Sequence, residues 1–255
     1  MEQQTYLEGI LSIRAALEAD SRPIHAVYIS RKQRDHDILK FEKWVRHLGV
    51  PVERVPDEVI AGYAGGTTHG GIVARVGERR MVGLETLLTP LPEGEGTGVR
   101  ASPFIVMLDG VEDPYNFGQA VRAFYAAGAD GLVVRPRNWM SAAAVVARSS
   151  AGASERISTA VAETAQEAAD FFRARGLTIA VADKERAVSL YEADLTVPLF
   201  LLIGGEKRGV TRSFADAADL RLRIPYGRAF QPALGTTPAA AAIAFEIMRQ
   251  RMYRR

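Results

Sequence analysis

The segment LLIGGEKRGV, residues 201–210, closes an apolar run and places three charged residues between glycines. Gly204 and Gly209 have the spacing of a nucleotide-binding P-loop, and Thr211 supplies the hydroxyl that such a loop needs. The position that requires lysine is Val210, however, and its apolar side chain cannot bind phosphate. A P-loop is therefore excluded, and the role of this turn has to be inferred from its neighbours.

The segment belongs to a region in which apolar strands alternate with helices. The strand patterns there are PFIVMLDGV, DGLVVRP, LTIAVAD, PLFLLIGG and LRLRIPY, and an alanine-rich helix closes the chain. Such alternation predicts an α/β fold with a parallel sheet covered on both faces. Ligands of these sheets bind at the carboxyl ends of the strands. The loops of interest are therefore DGVEDPYNFG, GGEKRG and PYGRAFQPALGTT.

The chain divides into two predicted domains. Residues 1–82 alternate short helices and strands and predict a small α/β domain. Residues 83–100 are rich in proline and glycine and predict a linker, so that the second domain occupies residues 101–255.

Composition narrows the functional classes. The chain has no cysteine, which excludes disulfides, thiolate metal sites and a cysteine nucleophile. The N-terminus lacks a signal-peptide pattern, and no apolar run approaches the ~20 residues that span a membrane, so we expect a soluble, cytoplasmic protein. Basic residues cluster at Arg31–Arg34 and in the C-terminal RQRMYRR, although the net charge is only +2. These clusters suit either a polyanion such as RNA or solubilising helix ends.

Each polar residue of the three loops also has a structural interpretation. Asn116 can cap the helix that follows it, and Arg122 can pair with an acid. Glu206 can be a cap or a surface charge, and the Gly235–Thr237 stretch before Pro238 is a good helix start. Because all of them cluster at strand ends of one sheet, a functional interpretation is favoured.

The second domain resembles the SpoU-type (TrmH-like) branch of the SPOUT superfamily, which comprises RNA ribose 2′-O-methyltransferases. Motif one is DPYNFGQAVRAFYAAGAD, motif two is FLLIGGEKRGV, and motif three is RIPYGRAFQPALGTTPAAAAIAFE. The stretch VVARSSAGASE resembles a linking helix of the same family. LEGILSIRAALEA and THGGIVARV make the first domain similar to an L30e-like RNA substrate-binding module.

The resemblance implies a knotted SPOUT fold, a homodimer whose active site is completed across the subunit interface, and S-adenosyl-L-methionine as cofactor, without a metal. It implies methylation of a ribose 2′-hydroxyl, with 23S rRNA favoured over tRNA because of the first domain. The implied catalytic residues are Asn116, Arg122 and Glu206. The implied cofactor-binding residues are Gly204, Gly205, Gly209, Ile224, Pro225, Leu234 and Thr236.

Motif three departs from the family pattern of Ser-Leu-Asn. Ala233 replaces the serine, Gly235 replaces the asparagine, and the preceding loop is one residue longer. Thr236 or Thr237 could supply the missing hydrogen bonds. A non-catalytic RNA-binding relative is the alternative that these changes leave open. A dinucleotide-dependent oxidoreductase is disfavoured because DGVEDPYNFG lacks Gly-x-Gly-x-x-Gly.

Overall fold

A computed structural model describes residues 4–89, 102–136, 142–184, 186–205 and 209–253. Up to residue 89 the elements are β1 (Thr5–Glu8), α1 (Ile10–Glu18), β2 (Ile24–Ser30), α2 (His36–His47), β3 (Val52–Val55), α3 (Asp57–Tyr63), β4 (Ile72–Val76) and a 3-10 helix (Leu84–Leu88). From residue 102 they are β5 (Phe104–Asp109), α4 (Pro114–Ala126), β6 (Gly131–Val134), α5 (Ala143–Ser149), α6 (Ala153–Arg156), β7 (Ser158–Val161), α7 (Ala165–Arg173), β8 (Thr178–Ala182), β9 (Val188–Ser189), β10 (Leu199–Gly204), α8 (Arg212–Ala217), β11 (Leu220–Arg223) and α9 (Thr236–Met252).

These elements form two compact units. The first unit contains residues 4–80 together with 142–156, and the second contains the other described residues. The domain division inferred from the sequence stays a prediction. It assigns residues 142–156 to the second domain. In the structure, α5 and α6 of this segment pack within the first unit.

The first unit is built on a four-stranded sheet in the order β1-β4-β2-β3. Strand β4 pairs antiparallel with both β1 and β2, and β2 pairs parallel with β3. Strand β1 consists of only four residues, TYLE, which are too few for a periodic pattern to be recognised in the sequence. Side chains of α1 and α2 bury one face of the sheet, with Ile13 and Phe41 fully inside, while Ile60 of α3 covers the other.

Ion pairs attach the helical segment 142–156 to the rest of the first unit. Arg148 of α5 pairs with the buried carboxylate of Glu8 at the end of β1. Arg22 donates both Nε and Nη2 to Glu155 of α6, at 3.0 and 2.9 Å, and both side chains are almost fully buried. Gly152, in the left-handed region at φ +84°, separates the two helices, and a Cβ there would lie only 2.6 Å from Cβ of Ala15.

The second unit is built on a seven-stranded sheet in the order β7-β6-β5-β10-β8-β11-β9. All its neighbouring strands run parallel, which confirms the parallel-sheet prediction. Ile105 and Met107 of β5 face a core with α7 and α8, while Phe104, in an edge-to-face contact with Phe124, faces α4. Helices therefore cover both faces, as alternating side chains of a central buried strand require.

Part of the predicted linker packs into the second unit. Residues 84–88 form the 3-10 helix, and Leu87 is buried in the core at 3 % exposure. Val82 forms an isolated parallel bridge with Ala160 of β7. The proline- and glycine-rich remainder, residues 90–100, lies outside the described residues. Among the residues that the structure describes, no helix combines the length and apolarity needed to cross a membrane.

Candidate active site

The three loops singled out from the sequence follow strands β5, β10 and β11 at the carboxyl edge of the parallel sheet. Strands β5 and β10 are neighbours, and their last residues, Asp109 and Gly204, are register partners. Strand β11 is separated from β10 by β8. The helices that leave the first and third loops, α4 and α9, pack against each other. Thr237 Oγ1 donates a hydrogen bond to the backbone oxygen of Asn116 at 3.2 Å, which joins these two helix starts.

Asp113, and not Asn116, caps helix α4, so the structural interpretation of Asn116 as a helix cap is wrong. The side chain of Asp113, at the N-cap, accepts hydrogen bonds from the backbone N–H groups of Tyr115 and Asn116, at 3.3 and 3.1 Å. Pro114 occupies the first helical position, where its missing N–H costs nothing. Capping therefore does not explain Asn116, which lies half-buried in the first helical turn.

Arg122 lies two turns further along α4 and is exposed. Among the described residues it has neither a hydrogen-bond nor an ion-pair partner, so its pairing with an acid finds no support there. A separation of six residues places two helical side chains about 120° apart around the axis. Asn116 and Arg122 of one chain therefore point in different directions.

Gly205 opens the turn after β10 at a point of extreme backbone crowding. Its N–H donates to the oxygen of Asp109 at 2.7 Å, and a Cβ at this position would lie 1.9 Å from the oxygen of Gly110. No side chain can be accommodated there, so this glycine is required by the fold itself, independently of any ligand.

Gly204 and Gly209 complete the same turn. A Cβ on Gly204 would lie 2.2 Å from the carbonyl carbon of Gly209, so the two ends of the turn touch. Gly209 has φ +60° and donates its N–H to the oxygen of Gly205 at 2.8 Å, but its own Cβ direction faces open space. Glu206, the proposed catalytic carboxylate, lies outside the described residues.

The loop after β11, residues 224–235, is largely exposed. Ile224 and Pro225 are half-buried where the loop leaves the strand. Phe230 and Leu234 expose 55 % and 37 % of their surfaces. Gly235 is the N-cap residue of α9, and the buried Thr236 is its first residue, which confirms the helix start inferred from Gly235–Thr237.

The third loop exposes apolar side chains at the carboxyl edge of the sheet, namely those of Phe230 and Leu234. Among the described residues there is no group of three or more potential metal ligands.

Three polar residues at the same edge were not singled out in the sequence. Arg135, after β6, pairs with Asp109 at 3.5 Å and donates to the backbone oxygen of Glu163 at 3.2 Å. Lys184, after β8, donates to the backbone oxygen of Gln231 at 2.7 Å. Tyr226 forms hydrogen bonds within the third loop. Each of these residues directly follows a strand or lies just beyond one, and this position could have identified it in the sequence as a residue of the site edge.

The arginines of the C-terminal cluster have different roles. Arg251 is directed inward and donates hydrogen bonds to the backbone oxygens of Ser102, Leu195 and Val197, at 2.7, 3.1 and 2.7 Å. Arg249 pairs with Glu246 at 2.7 Å, and its charge, with its hydrogen bond, lowers the pKa of that carboxyl. Arg251 is thus a structural clamp rather than part of an RNA-binding surface. Arg254 and Arg255 lie outside the described residues.

Comparison with known proteins matches both parts of the chain. The model of the SpoU rRNA Methylase family matches residues 103–233, and a model for RNA 2′-O ribose methyltransferase substrate binding matches residues 6–82. The 23S rRNA (guanosine-2′-O-)-methyltransferase RlmB of Ralstonia nicotianae is 28% identical, with 98% of each chain covered. RlmB of Shewanella oneidensis is 27% identical over 98% of this chain and 99% of its own.

Solved structures resemble the whole chain in fold. The SpoU methyltransferase AviRb from Streptomyces viridochromogenes has a TM-score of 0.78 at 22% identity, covering 99% of this chain and 91% of AviRb. The AdoMet-bound rRNA methyltransferase from Sinorhizobium meliloti has a TM-score of 0.76 at 24% identity, covering 97% and 87% of the two chains. The family model covers more than half of the chain, and it includes the first two strand-end loops and residues 224–233 of the third. The chain belongs to the SpoU rRNA Methylase family.

Proposed function

We propose that this protein methylates the ribose 2′-hydroxyl of a guanosine in 23S rRNA, with S-adenosylmethionine as methyl donor. The family accounts for the reaction class and the cofactor, and the base and the RNA are inferred from the curated relatives. The observation that carries the proposal is the convergence of three loops at one sheet edge, with Thr237 joined to Asn116. A ribosomal RNA substrate places the protein in the cytoplasm.

The cofactor-binding residues are those that line the second and third loops. When bound, S-adenosylmethionine supplies an electrophilic methyl group on a sulfonium. Leu234 and Ile224 contact the cofactor through apolar side chains and backbone, together with Pro225 and the start of α9 at Thr236. Gly204, Gly205 and Gly209 bring backbone groups close to it, as glycine permits.

Arg122, Asn116 and Glu206 are the proposed catalytic residues. Every histidine of the chain, at positions 25, 36, 47 and 69, precedes the second unit, so none is available in it as a base. Arginine keeps its proton in proteins, and we therefore assign Arg122 to stabilising the developing alkoxide or holding an adjacent phosphate. Asn116 and Glu206 orient the ribose, and positioning of this kind supplies a large share of the rate.

A homodimer completes this site. Helices α4 and α9 pack together and expose apolar side chains, namely Tyr115, Tyr125, Phe245 and Met252. Exposed apolar surface of this kind is typical of protein interfaces. Because Asn116 and Arg122 of one chain point in different directions, a second copy of the chain on this surface can bring its Arg122 to the first copy's strand-end loops.

The test is transfer of labelled methyl groups from S-adenosylmethionine to bacterial RNA, with ribosomal and transfer RNA separated afterwards. We expect label in 23S rRNA that survives alkaline hydrolysis as a protected dinucleotide, because a 2′-O-methyl group blocks cleavage. Arg122→Ala removes the charge that stabilises the alkoxide and should lower the rate at least about 100-fold.

Arg173→Ala is the matched control, because Arg173 ends α7 before β8 begins and thus lies at the opposite edge of the sheet. This control should keep most of the wild-type rate. Label in tRNA alone would reassign the substrate. Cofactor binding without transfer to any RNA would support the non-catalytic alternative that the altered motif three leaves open.

A further inference from the structure

The third loop, residues 224–235, is held in its conformation by side chains and not by backbone hydrogen bonds among its own residues. It connects β11 to α9, and no backbone–backbone hydrogen bond links residues 226–234 to one another; all of these residues lie in the described part of the chain. Phe230, Gln231 and Leu234 are exposed, so burial does not fix the loop either. An exposed segment of this length without internal pairing would be expected to sample many conformations.

Side chains form the contacts that hold the loop. The hydroxyl of Tyr226 accepts a hydrogen bond from the N–H of Leu234 at 3.1 Å and donates one to the oxygen of Pro232 at 3.4 Å. Its ring lies against that of Phe230, with centroids 5.9 Å apart. One phenol therefore closes the loop on itself, between its third residue and its last but one.

A second contact anchors the loop to the sheet from outside. Lys184 follows β8, the strand between β10 and β11, and its Nζ donates to the oxygen of Gln231 at 2.7 Å. This ammonium group binds Gln231, whereas the Tyr226 hydroxyl binds Pro232 and Leu234. The two contacts share no atoms, so each can be removed without changing the other.

We propose that Tyr226 and Lys184 are positioning residues that hold the third loop in the shape required for cofactor binding. The inference rests on the proposed function, because it assigns this loop to S-adenosylmethionine. The two side chains act on Leu234 and Gln231 through backbone groups and take no part in methyl transfer. They hold residues 226–234 in one conformation, which backbone hydrogen bonds do not do. Both departures from Ser-Leu-Asn, Ala233 and Gly235, lie in the same loop.

Calorimetric titration of the full-length protein with S-adenosylmethionine tests the proposal. Tyr226→Phe keeps the ring and removes both hydrogen bonds of the hydroxyl, and Lys184→Met keeps the aliphatic chain and removes the ammonium group. Each variant should raise the Kd for the cofactor about three- to tenfold, as expected for the loss of one or two exposed hydrogen bonds. The kcat at saturating cofactor and RNA should stay within about twofold of wild type, because the variants alter loop order and not the reacting groups.

Two controls separate positioning from general destabilisation. Tyr191→Phe changes another exposed tyrosine of the second unit and should leave the Kd unchanged. Lys184→Arg keeps a cation that can reach the Gln231 carbonyl and should restore a Kd close to that of wild type.

Wild-type Kd values in both Tyr226→Phe and Lys184→Met would overturn the inference while leaving the proposed function intact. A lower kcat with unchanged Kd would also overturn it, because the residues would then act on catalysis. A wild-type protein that bound no S-adenosylmethionine would overturn the proposed function and this inference with it.

Discussion

At the scale of single residues, the structure separates two reasons for glycine in the turn after β10. Gly205 is fixed by its distance to the backbone of Gly110, whereas Gly209 is fixed by its positive φ. A pattern of glycines in a sequence does not distinguish these causes. Of the two, only Gly209 has no described atom within 4 Å of the Cβ that a side chain would add.

Gly205→Ala should destabilise the second unit severely. Its Cβ would lie 1.9 Å from the oxygen of Gly110, and two backbone segments cannot move apart without breaking the β5–β10 register. We expect a loss of about 3 kcal/mol or more in the free energy of unfolding, measured by urea denaturation. Gly227→Ala, in a position with no atom within 4 Å, should change it by less than about 1 kcal/mol. Equal stability of the two variants would contradict the crowding argument.

At the scale of secondary-structure elements, buried charges attach α6 to the first unit. Glu155 accepts hydrogen bonds from Arg22 and, at 2.5 Å, from Ser21 Oγ, and Arg79 lies 3.4 Å away. Burial opposes ionisation of Glu155, but the charges of Arg22 and Arg79 and the hydrogen bonds outweigh it, so its pKa lies below the ordinary value. The carboxylate is therefore charged in the folded protein at neutral pH.

Glu155→Gln should cost about 3–5 kcal/mol of stability at pH 7, because it leaves Arg22 buried without a counter-charge. Urea denaturation followed by circular dichroism measures the change. Glu18→Gln removes the partner of Arg156, the neighbour of Glu155 on α6, in an ion pair that is partly exposed, and should cost less than about 1 kcal/mol. Similar losses in both variants would show that burial adds nothing to the Arg22–Glu155 pair.

The pH dependence provides a check on the same carboxylate. Since the folded-state pKa of Glu155 is lowered, its stabilising contribution is fully present above its unfolded value, ordinarily 4.5, and is lost as pH falls through the folded value. The stability difference between wild type and Glu155→Gln should therefore shrink when the pH is lowered below about 4.5. A constant difference down to pH 3 would contradict the assignment.

At the scale of the whole molecule, the exposed apolar faces of α4 and α9 predict the oligomeric state. Phe245 exposes 44 % of its surface in the middle of α9. Light scattering on a size-exclusion column should show a dimer for the wild type and a monomer for Phe245→Glu, because a buried charge without a partner opposes association. Leu39→Glu, a similarly exposed apolar position on α2, should remain dimeric. A monomeric wild type at micromolar concentration would overturn the proposed dimer.

Much of the architecture could be predicted from local patterns. Apolar strands such as PFIVMLDGV and PLFLLIGG were recognisable because parallel strands are buried on both faces. Their loops could be identified as the site region for the same reason, because parallel strands end at one edge. Strands β7 and β9 were not predicted. The β7 segment, STAV, has no run of large apolar residues, and β9 has only two residues. The domain boundaries, the catalytic assignments and the predicted knot remain predictions.

The sequence by itself determined the strand and helix types, the absence of thiol chemistry and the family, because these depend on residue identity and short-range spacing. Tertiary structure alone decided which polar groups meet. Arg251 binds the backbone carbonyls of distant segments, and Arg22 meets Glu155 across 133 residues of sequence. It also decided that α5 and α6 pack with the first unit. Such pairings depend on which distant segments the fold brings together, and a buried charge needs a partner within hydrogen-bonding distance.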